Sequence, residues 1–277
     1  MTSQTQSSQT SHYAHGHQPS VLASHATRTA QNSCAYFLDR IEPGQRVLDL
    51  GCGPGSITLD LATLVGPEGP VVGVDFSEEA IATAQQAASE RGAQSTRFMV
   101  GDLFALDLEP RSFDIVHAHQ VLQHLAHPVA ALKAMADFVK PGGIIAVRDA
   151  DYGAMAWYPL MEGIEHWRTI YSASARALGG EPYAGRRLRA WARAAGLDVE
   201  VTQSSTWTYA TPEATSWWGN SQADRVLASS FADRAAGQGL TPEQIRSIAD
   251  QWRQWGRHPD AWFFLPHGEI IATPTHA

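Results

Sequence analysis

The sequence predicts an α/β fold, a doubly wound and mostly parallel sheet that carries a helical cap. Three observations point there. Between Arg46 and Ala150, short apolar runs alternate with helix-patterned segments, and runs that are apolar throughout belong to a parallel sheet covered on both faces. Gly51, Gly53 and Gly55 stand at alternate positions behind the first run, as at a tight strand-to-helix turn where a backbone approaches a ligand. All nine tryptophans follow residue 150, where the alternation stops, so the second half is built on another plan.

Taken in order, residues 1–11 are almost wholly Ser, Thr and Gln and are expected to form a disordered tail. Residues 12–45 are expected to form an N-terminal helical lid. From Pro19 the pattern is helical, with Leu22, Ala26, Ala30, Ser33 and Phe37 near one face, and "EPGQ" supplies a turn. Residues 46–151 form the cofactor-binding core. "RVLDL" is its first strand, Ser56 to Val65 a helix and "VVGVD" the second strand. Ser77 starts a helix that runs to Arg91, with Glu78 and Glu79 favourable in its first turn. "TRFMVGD" and "SFDIVHA" read as strands three and four. A helix over about 129–139 is broken by "KPGG", and "IIAVRDA" is strand five.

Residues 152–277 hold the rest of the sheet and a tryptophan-rich cap. Residues 155–180 read as helical, as do 186–195, closed by Gly196. "LDVEVTQSSTWTYA" alternates like a strand. Residues 212–254 are mostly helix, broken near Gly237 and Gly239, and "AWFFLPHGEIIATP" supplies a last strand or hairpin.

Composition narrows the partners. The net charge is −8 and only two of the 20 basic residues are lysines, Lys133 and Lys140. Without a polybasic segment, neither nucleic acid nor an anionic membrane is expected as a partner. Two cysteines, Cys34 and Cys52, form no disulfide framework and suit a reducing, cytoplasmic setting. No apolar run approaches 18 residues, and "MTSQTQSSQTS" lacks the charged and apolar parts of a signal peptide. His12, His15 and His17 in "HYAHGH" match no standard zinc spacing, so no metal is expected.

The ligand of the glycine turn is read from the acids around it. Asp49, two residues before Gly51, would repel a pyrophosphate at the helix N-terminus but can serve an ammonium group, directly or through water. Asp75 ends the second strand, where an acid accepts both hydroxyls of a ribose. Asp102 ends the third, where it can accept the adenine amine. An ammonium, a ribose and an adenine without phosphate describe S-adenosylmethionine, not a nicotinamide dinucleotide.

Residues 46–150 resemble the class I S-adenosylmethionine-dependent methyltransferases, in the branch of the ubiquinone and menaquinone C-methyltransferases. "VLDLGCGPG", "VVGVDFS", "GDLFALDLEPRSFDIVHAHQVLQHLAHP" and "FVKPGGIIAVRD" match its motifs in order and spacing. The resemblance implies a seven-stranded sheet whose last strand runs antiparallel. It implies that Gly51 and Gly53 admit the methionine portion, and that Asp75 binds the ribose with Phe76 against the adenine face. Asp102 and the Leu103 amide would hold the adenine edge, and the Ala118 carbonyl would receive the ammonium. The branch also folds an N-terminal helix with a tyrosine over the cofactor. Tyr13 matches that tyrosine, although the usual aspartate beside it is Ala14 here; His17 is a second candidate, and Arg28 could pair with the cofactor carboxylate.

Methyl transfer is an in-line displacement that depends on holding the nucleophile against the methyl, and a base is needed only where the acceptor must lose a proton. His119, just after strand four, is a candidate for both base and cofactor contact. Tyr13 and Asp149 are further catalytic candidates, although Asp149 and Asp151 could equally pair with Arg148 or cap a helix. His124 is expected to pack. Trp157 and Tyr152, leaving strand five, are the acceptor-binding candidates. The expected function is C- or O-methylation of a small, largely apolar or aromatic metabolite of secondary metabolism. The alternatives are a macromolecular acceptor, RNA or protein, and a cofactor-binding cyclase or regulatory module. Oligomeric state, including a homo-oligomer, stays open.

Overall fold

The computed structural model describes residues 28–275. The expected tail at 1–11, Tyr13, His17 and the zinc-excluded histidines lie outside them.

Five strands, β1 (Val47–Leu50), β2 (Val71–Asp75), β3 (Thr96–Val100), β4 (Phe113–His119) and β5 (Val139–Ala150), pair in parallel in the order β3-β2-β1-β4-β5. The helices between them are α2 (Ser56–Val65), α3 (Glu78–Arg91) and α4 (Pro128–Phe138), preceded by the short α1 (Ala30–Ser33). Their ends follow from local chemistry. Ser77 caps α3 by accepting from the Ala80 N–H, and Gly92 ends it in the left-handed region. The helix expected through Phe37 instead stops at Ser33. A turn and the 3₁₀ segment Leu38–Arg40 follow, burying Phe37 beside His117. The "KPGG" break falls inside β5, as an irregularity between the Phe113–Val139 pair and the regular pairing that resumes at Ile144.

The second half adds β6 (Ala156–Tyr158), α5 (Glu162–Ala177), α6 (Leu188–Ala194), β7 (Leu197–Tyr209), α7 (Pro212–Leu227), α8 (Ser229–Gly237), α9 (Pro242–Gly256) and β8 (Trp262–Pro274). β8 enters the sheet antiparallel between β5 and β7. Among the described residues the sheet has eight strands where seven were expected, and the difference is β6. Ala156–Tyr158 pairs with Trp262–Phe264 beyond the β5 pairing, so β5 and β6 follow one another along one edge of β8. The helix expected from 155 therefore begins only at Glu162: the aromatic run "AWY" finds a strand partner in "WFF".

Side-chain alternation divides the interior. Leu50, Val116, Ala118 and Val147 pack on one face with Leu132 and Leu188. Val47, Ile115, Ala146 and Ile271 pack on the other with Phe37 and Leu61. A third core belongs to the cap, where Trp167, Trp218, Trp252 and Trp255 surround Phe263 and Leu265 of β8. α7 and α9 meet there without intervening side chains. A Cβ on Gly219 would stand 2.5 Å from the Trp252 carbonyl oxygen.

Candidate active site

The glycine turn leaves β1 with Gly51 at φ 67° and Gly53 at φ 54°, a region that side chains beyond glycine enter at a cost. A Cβ on Gly51 would also lie 2.4 Å from Val121 Cγ2. The Gly51 and Cys52 N–H groups donate to the Val74 carbonyl at 2.7 and 3.0 Å, tying the turn to β2. Asp75 then receives the Gly53 N–H on Oδ2 at 2.9 Å and the Ser77 N–H on Oδ1 at 3.0 Å. Its carboxylate is thus oriented at the mouth of the turn. Asp102 is exposed at the end of β3 and accepts from the Phe104 N–H at 3.0 Å, capping Leu103–Ala105. Phe76 is 48 % exposed and Phe104 51 %, with Val100, two residues before Asp102, also exposed. Three open apolar side chains at two adjacent strand ends suit the face of a flat base; Phe104 was not among the expected residues.

Asp49 lies elsewhere. It is buried, accepting from Thr58 Oγ1 at 2.5 Å and pairing with His117 Nδ1 at 2.7 Å. His117 Nε2 continues to Cys34 Sγ at 3.4 Å. Burial alone would depress the His117 pKa, but Cys34 and Asp49 override it and raise the value to about 10. Both Asp49 oxygens thus have partners within the chain, Thr58 on one and His117 on the other.

At the end of β4, Ala118 lies in register between Leu50 and Val147. His119 and Gln120 follow. Gln120 adopts φ 54°, strained for a non-glycine residue, while its N–H donates to the Arg148 carbonyl at 2.7 Å. Its side chain bridges Arg28 Nη2 at 2.9 Å and His267 Nε2 at 2.8 Å. Trp207 lies against His267 and His119, with ring centroids 4.5 and 5.6 Å away. The buried Arg148 Nε donates to Glu269 Oε1 at 2.9 Å and to Ser205 Oγ at 3.2 Å. Burial, with Arg148 and Arg28 nearby, holds the His119 pKa well below its ordinary value. Arg28, Gln120, Trp207, Glu269 and His267 were not predicted together. A buried-polar signal in "PHGEI" existed, but nothing in the sequence tied it to strand four.

The remaining candidates separate from this group. Asp149 is fully buried and, following Arg148 in the strand, points to the opposite face. It accepts from the Gln123 N–H at 3.2 Å, so the structure places it away from His119 instead of beside it as a base. Tyr152 and Trp157 are buried in the cap core, with Tyr152 4.4 Å from Tyr171 between centroids, so packing accounts for both. Asp151 pairs with Arg186. His124 Nε2 accepts from Gln123 Nε2 at 3.0 Å, and burial pushes its pKa down to about 3.

A parallel sheet closed by an antiparallel strand, a glycine turn after β1 and acids at the ends of β2 and β3 define the class I S-adenosylmethionine-dependent methyltransferases. The residues present suit that cofactor, with a narrow glycine turn, an oriented Asp75 and an open apolar platform. The chain belongs to the methyltransferase family: the family described as methyltransferase domain matches residues 41–212. An uncharacterized methyltransferase of Schizosaccharomyces pombe is 34% identical over 270 residues, covering 94% of this chain and 95% of its own length. The aklanonic acid methyltransferase DauC of Streptomyces sp. strain C5 is 39% identical over 112 residues, 40% of this chain and 51% of its own. Among solved structures, a phosphoethanolamine N-methyltransferase of Haemonchus contortus, in complex with phosphomonomethylethanolamine and S-adenosylhomocysteine, aligns with TM-score 0.54 at 18% identity, over 88% of this chain and 52% of its own.

Proposed function

We propose that this methyltransferase acts on a small, largely apolar or aromatic metabolite, at carbon or oxygen. The observation that carries the reading is the enclosure of the strand-end site. His119 is 5 % exposed, beside Trp207 and His267, and this enclosure supports a small flat acceptor over an RNA or protein chain. A relative named for aklanonic acid supports a small-molecule acceptor. Two buried free cysteines, Cys34 and Cys52, suit a reducing cytoplasm.

When bound, S-adenosylmethionine supplies an electrophilic methyl on a sulfonium. Gly51 and Gly53 would admit its methionine portion, Asp75 its ribose, and Phe76 with Asp102 and the Leu103 amide its adenine; the Ala118 carbonyl would face the ammonium. His119 borders the reaction space and stays neutral there, able to take a proton from an acceptor that must lose one. The cap at 152–277 would exclude water and select the acceptor. Incubation with methyl-labelled S-adenosylmethionine and either a panel of hydroxylated aromatics or bulk RNA decides the acceptor class. Label passing to RNA, or S-adenosylhomocysteine failing to appear with any small acceptor, overturns the reading.

Asp75→Ala is expected to weaken S-adenosylmethionine binding by about 2 kcal/mol or more, because two ribose hydroxyls lose a charged acceptor. Calorimetry reads this directly, and unchanged affinity would remove Asp75 from the site.

The segment before residue 46 is proposed as a lid. Its described part reaches the strand ends, where Arg28 bonds to Gln120 and Trp207 Nε1 donates to the Asn32 carbonyl at 3.0 Å. Deleting residues 1–11 should leave activity intact, whereas deleting through His17 should impair it. Equal activity of the two truncated proteins contradicts the lid.

A further inference from the structure

We propose that His119 and Arg148 form a binding site for an ionised oxygen of the acceptor, a phenolate or enolate carried on a flat ring that lies against Trp207. The proposal rests on the methyltransferase reading above and names the acceptor chemistry of the same site.

The argument starts from hydrogen-bond accounting. His267 Nδ1 lies 3.0 Å from the Leu265 carbonyl oxygen. A carbonyl only accepts, so Nδ1 carries the proton and Nε2 is left as an acceptor. Gln120 Nε2 must then donate to it, which turns Gln120 Oε1 towards the Arg28 guanidinium. His267 is thereby neutral, with both nitrogens used.

Its neighbour His119 is the opposite case. The two rings lie stacked, with centroids 6.2 Å apart and planes inclined by 20°, yet neither nitrogen of the buried His119 has a hydrogen-bond partner among the described residues. A buried donor or acceptor left unpaired costs about 1–3 kcal/mol, and native proteins rarely leave one without a reason.

Arg148 repeats the pattern. Nε is held by Glu269 and Ser205 and Nη2 by Ser205, while the buried Nη1 has no partner among the described residues. The guanidinium is clamped on one edge and offers a donor on the other. His119 and Arg148 are also register partners on adjacent parallel strands, so their side chains leave the same face of the sheet. Trp207 completes the site, with Arg148 over its ring at 5.1 Å and His119 at 5.6 Å. A fixed cationic donor, a neutral imidazole and an aromatic face match one ligand chemistry: a flat ring bearing an oxygen that carries negative charge. A simple hydrocarbon ring would leave the unused donors as costly as before.

The test uses the full chain saturated with S-adenosylhomocysteine and two probes, 7-hydroxy-4-methylcoumarin and its 7-methoxy ether. The phenol and phenolate forms of the first absorb at different wavelengths, so its ionisation is read while bound. The expected result is that the hydroxycoumarin binds about tenfold tighter than the ether and shifts towards phenolate at neutral pH. That preference should largely vanish in His119→Phe. It should also vanish in the double variant Arg148→Met, Glu269→Met, which removes the ion pair together so that no lone charge stays buried. Far-UV circular dichroism and thermal melting, measured alongside, report that each variant is folded. Equal binding of the two coumarins by the unaltered protein, absence of binding by either, or a preference that survives both variants, overturns the site. If neither variant folds, the spectral shift and preference in the unaltered protein decide. Failure of the unaltered chain to bind S-adenosylhomocysteine would instead overturn the reading on which the site rests.

Discussion

Trp157→Ala is expected to cost about 3–5 kcal/mol of stability, as for other large aromatic side chains removed from a core, and to leave S-adenosylhomocysteine affinity unchanged. The ring is buried in the cap core, where β6 delivers it beside Phe263 and Arg168 lies over its face at 5.7 Å. The sequence suggested an acceptor wall, because "DYGAMAWYP" leaves strand five at the end where methyl transfer takes place. Pairing of β6 with β8 turns the indole into the cap instead. Thermal melting should fall by on the order of 10 °C, with acceptor affinity changed only through the loss of folded protein. A selective loss of acceptor affinity at unchanged melting temperature would return Trp157 to the acceptor site.

Asp149→Asn should do the reverse and stabilise the protein at neutral pH. Burial pushes the Asp149 carboxyl up to about 8 from its ordinary 3.8, against the weaker pull of the Gln123 and Leu122 N–H groups and of Arg148. The folded chain therefore keeps this proton between pH 3.8 and about 8, where the unfolded chain has lost it. Unfolding releases a proton across that window, so stability falls as pH rises. By pH 7 the accumulated cost is about 4 kcal/mol. Asparagine keeps an oxygen for the Gln123 N–H and cannot ionise, so a gain of about 2–4 kcal/mol is expected at pH 7 and little at pH 4. His117, raised from 6.5 to about 10, contributes stability that is full below pH 6.5 and lost as pH rises towards 10. The comparison is therefore made on Asp149 variants at fixed pH, by denaturant unfolding at pH 4 and pH 7. Methyl transfer should persist in Asp149→Asn. Its collapse in a variant no more stable than the parent would restore Asp149 as the base.

Much of the nucleotide-binding half was legible before any coordinates. Ser56–Val65 and Val71–Asp75 fall where the pattern put them, because continuous apolar runs, a Ser cap and glycine turns are local signals that need no distant partner. The identity of the methyl donor was legible for the same reason, since Asp75 is the last residue of β2 and Asp102 stands two residues beyond β3. The lid segment was less so. Its helical periodicity continues past Ser33, but Phe37 gains more by turning in against His117 than by extending an exposed helix.

The acceptor side was hidden by distance along the chain. Gln120 and His267 are 147 residues apart, and Arg148 and Glu269 121; they meet only because β8 inserts antiparallel beside β5. Strand-end position alone made His119 and Asp149 look equivalent, yet they leave opposite faces, one beside Trp207 and the other under the Leu122–His124 turn. Local pattern in the chain determined the strands and helices between Val47 and Ala150, where the glycine turn falls and what cofactor it takes, because each depends on neighbours within a few residues, whereas β6 formed only by pairing with β8. Tertiary structure alone decided which polar groups share a face, which are buried and which tryptophan lies beside His119, because those depend on strand order, register and side-chain parity across the sheet.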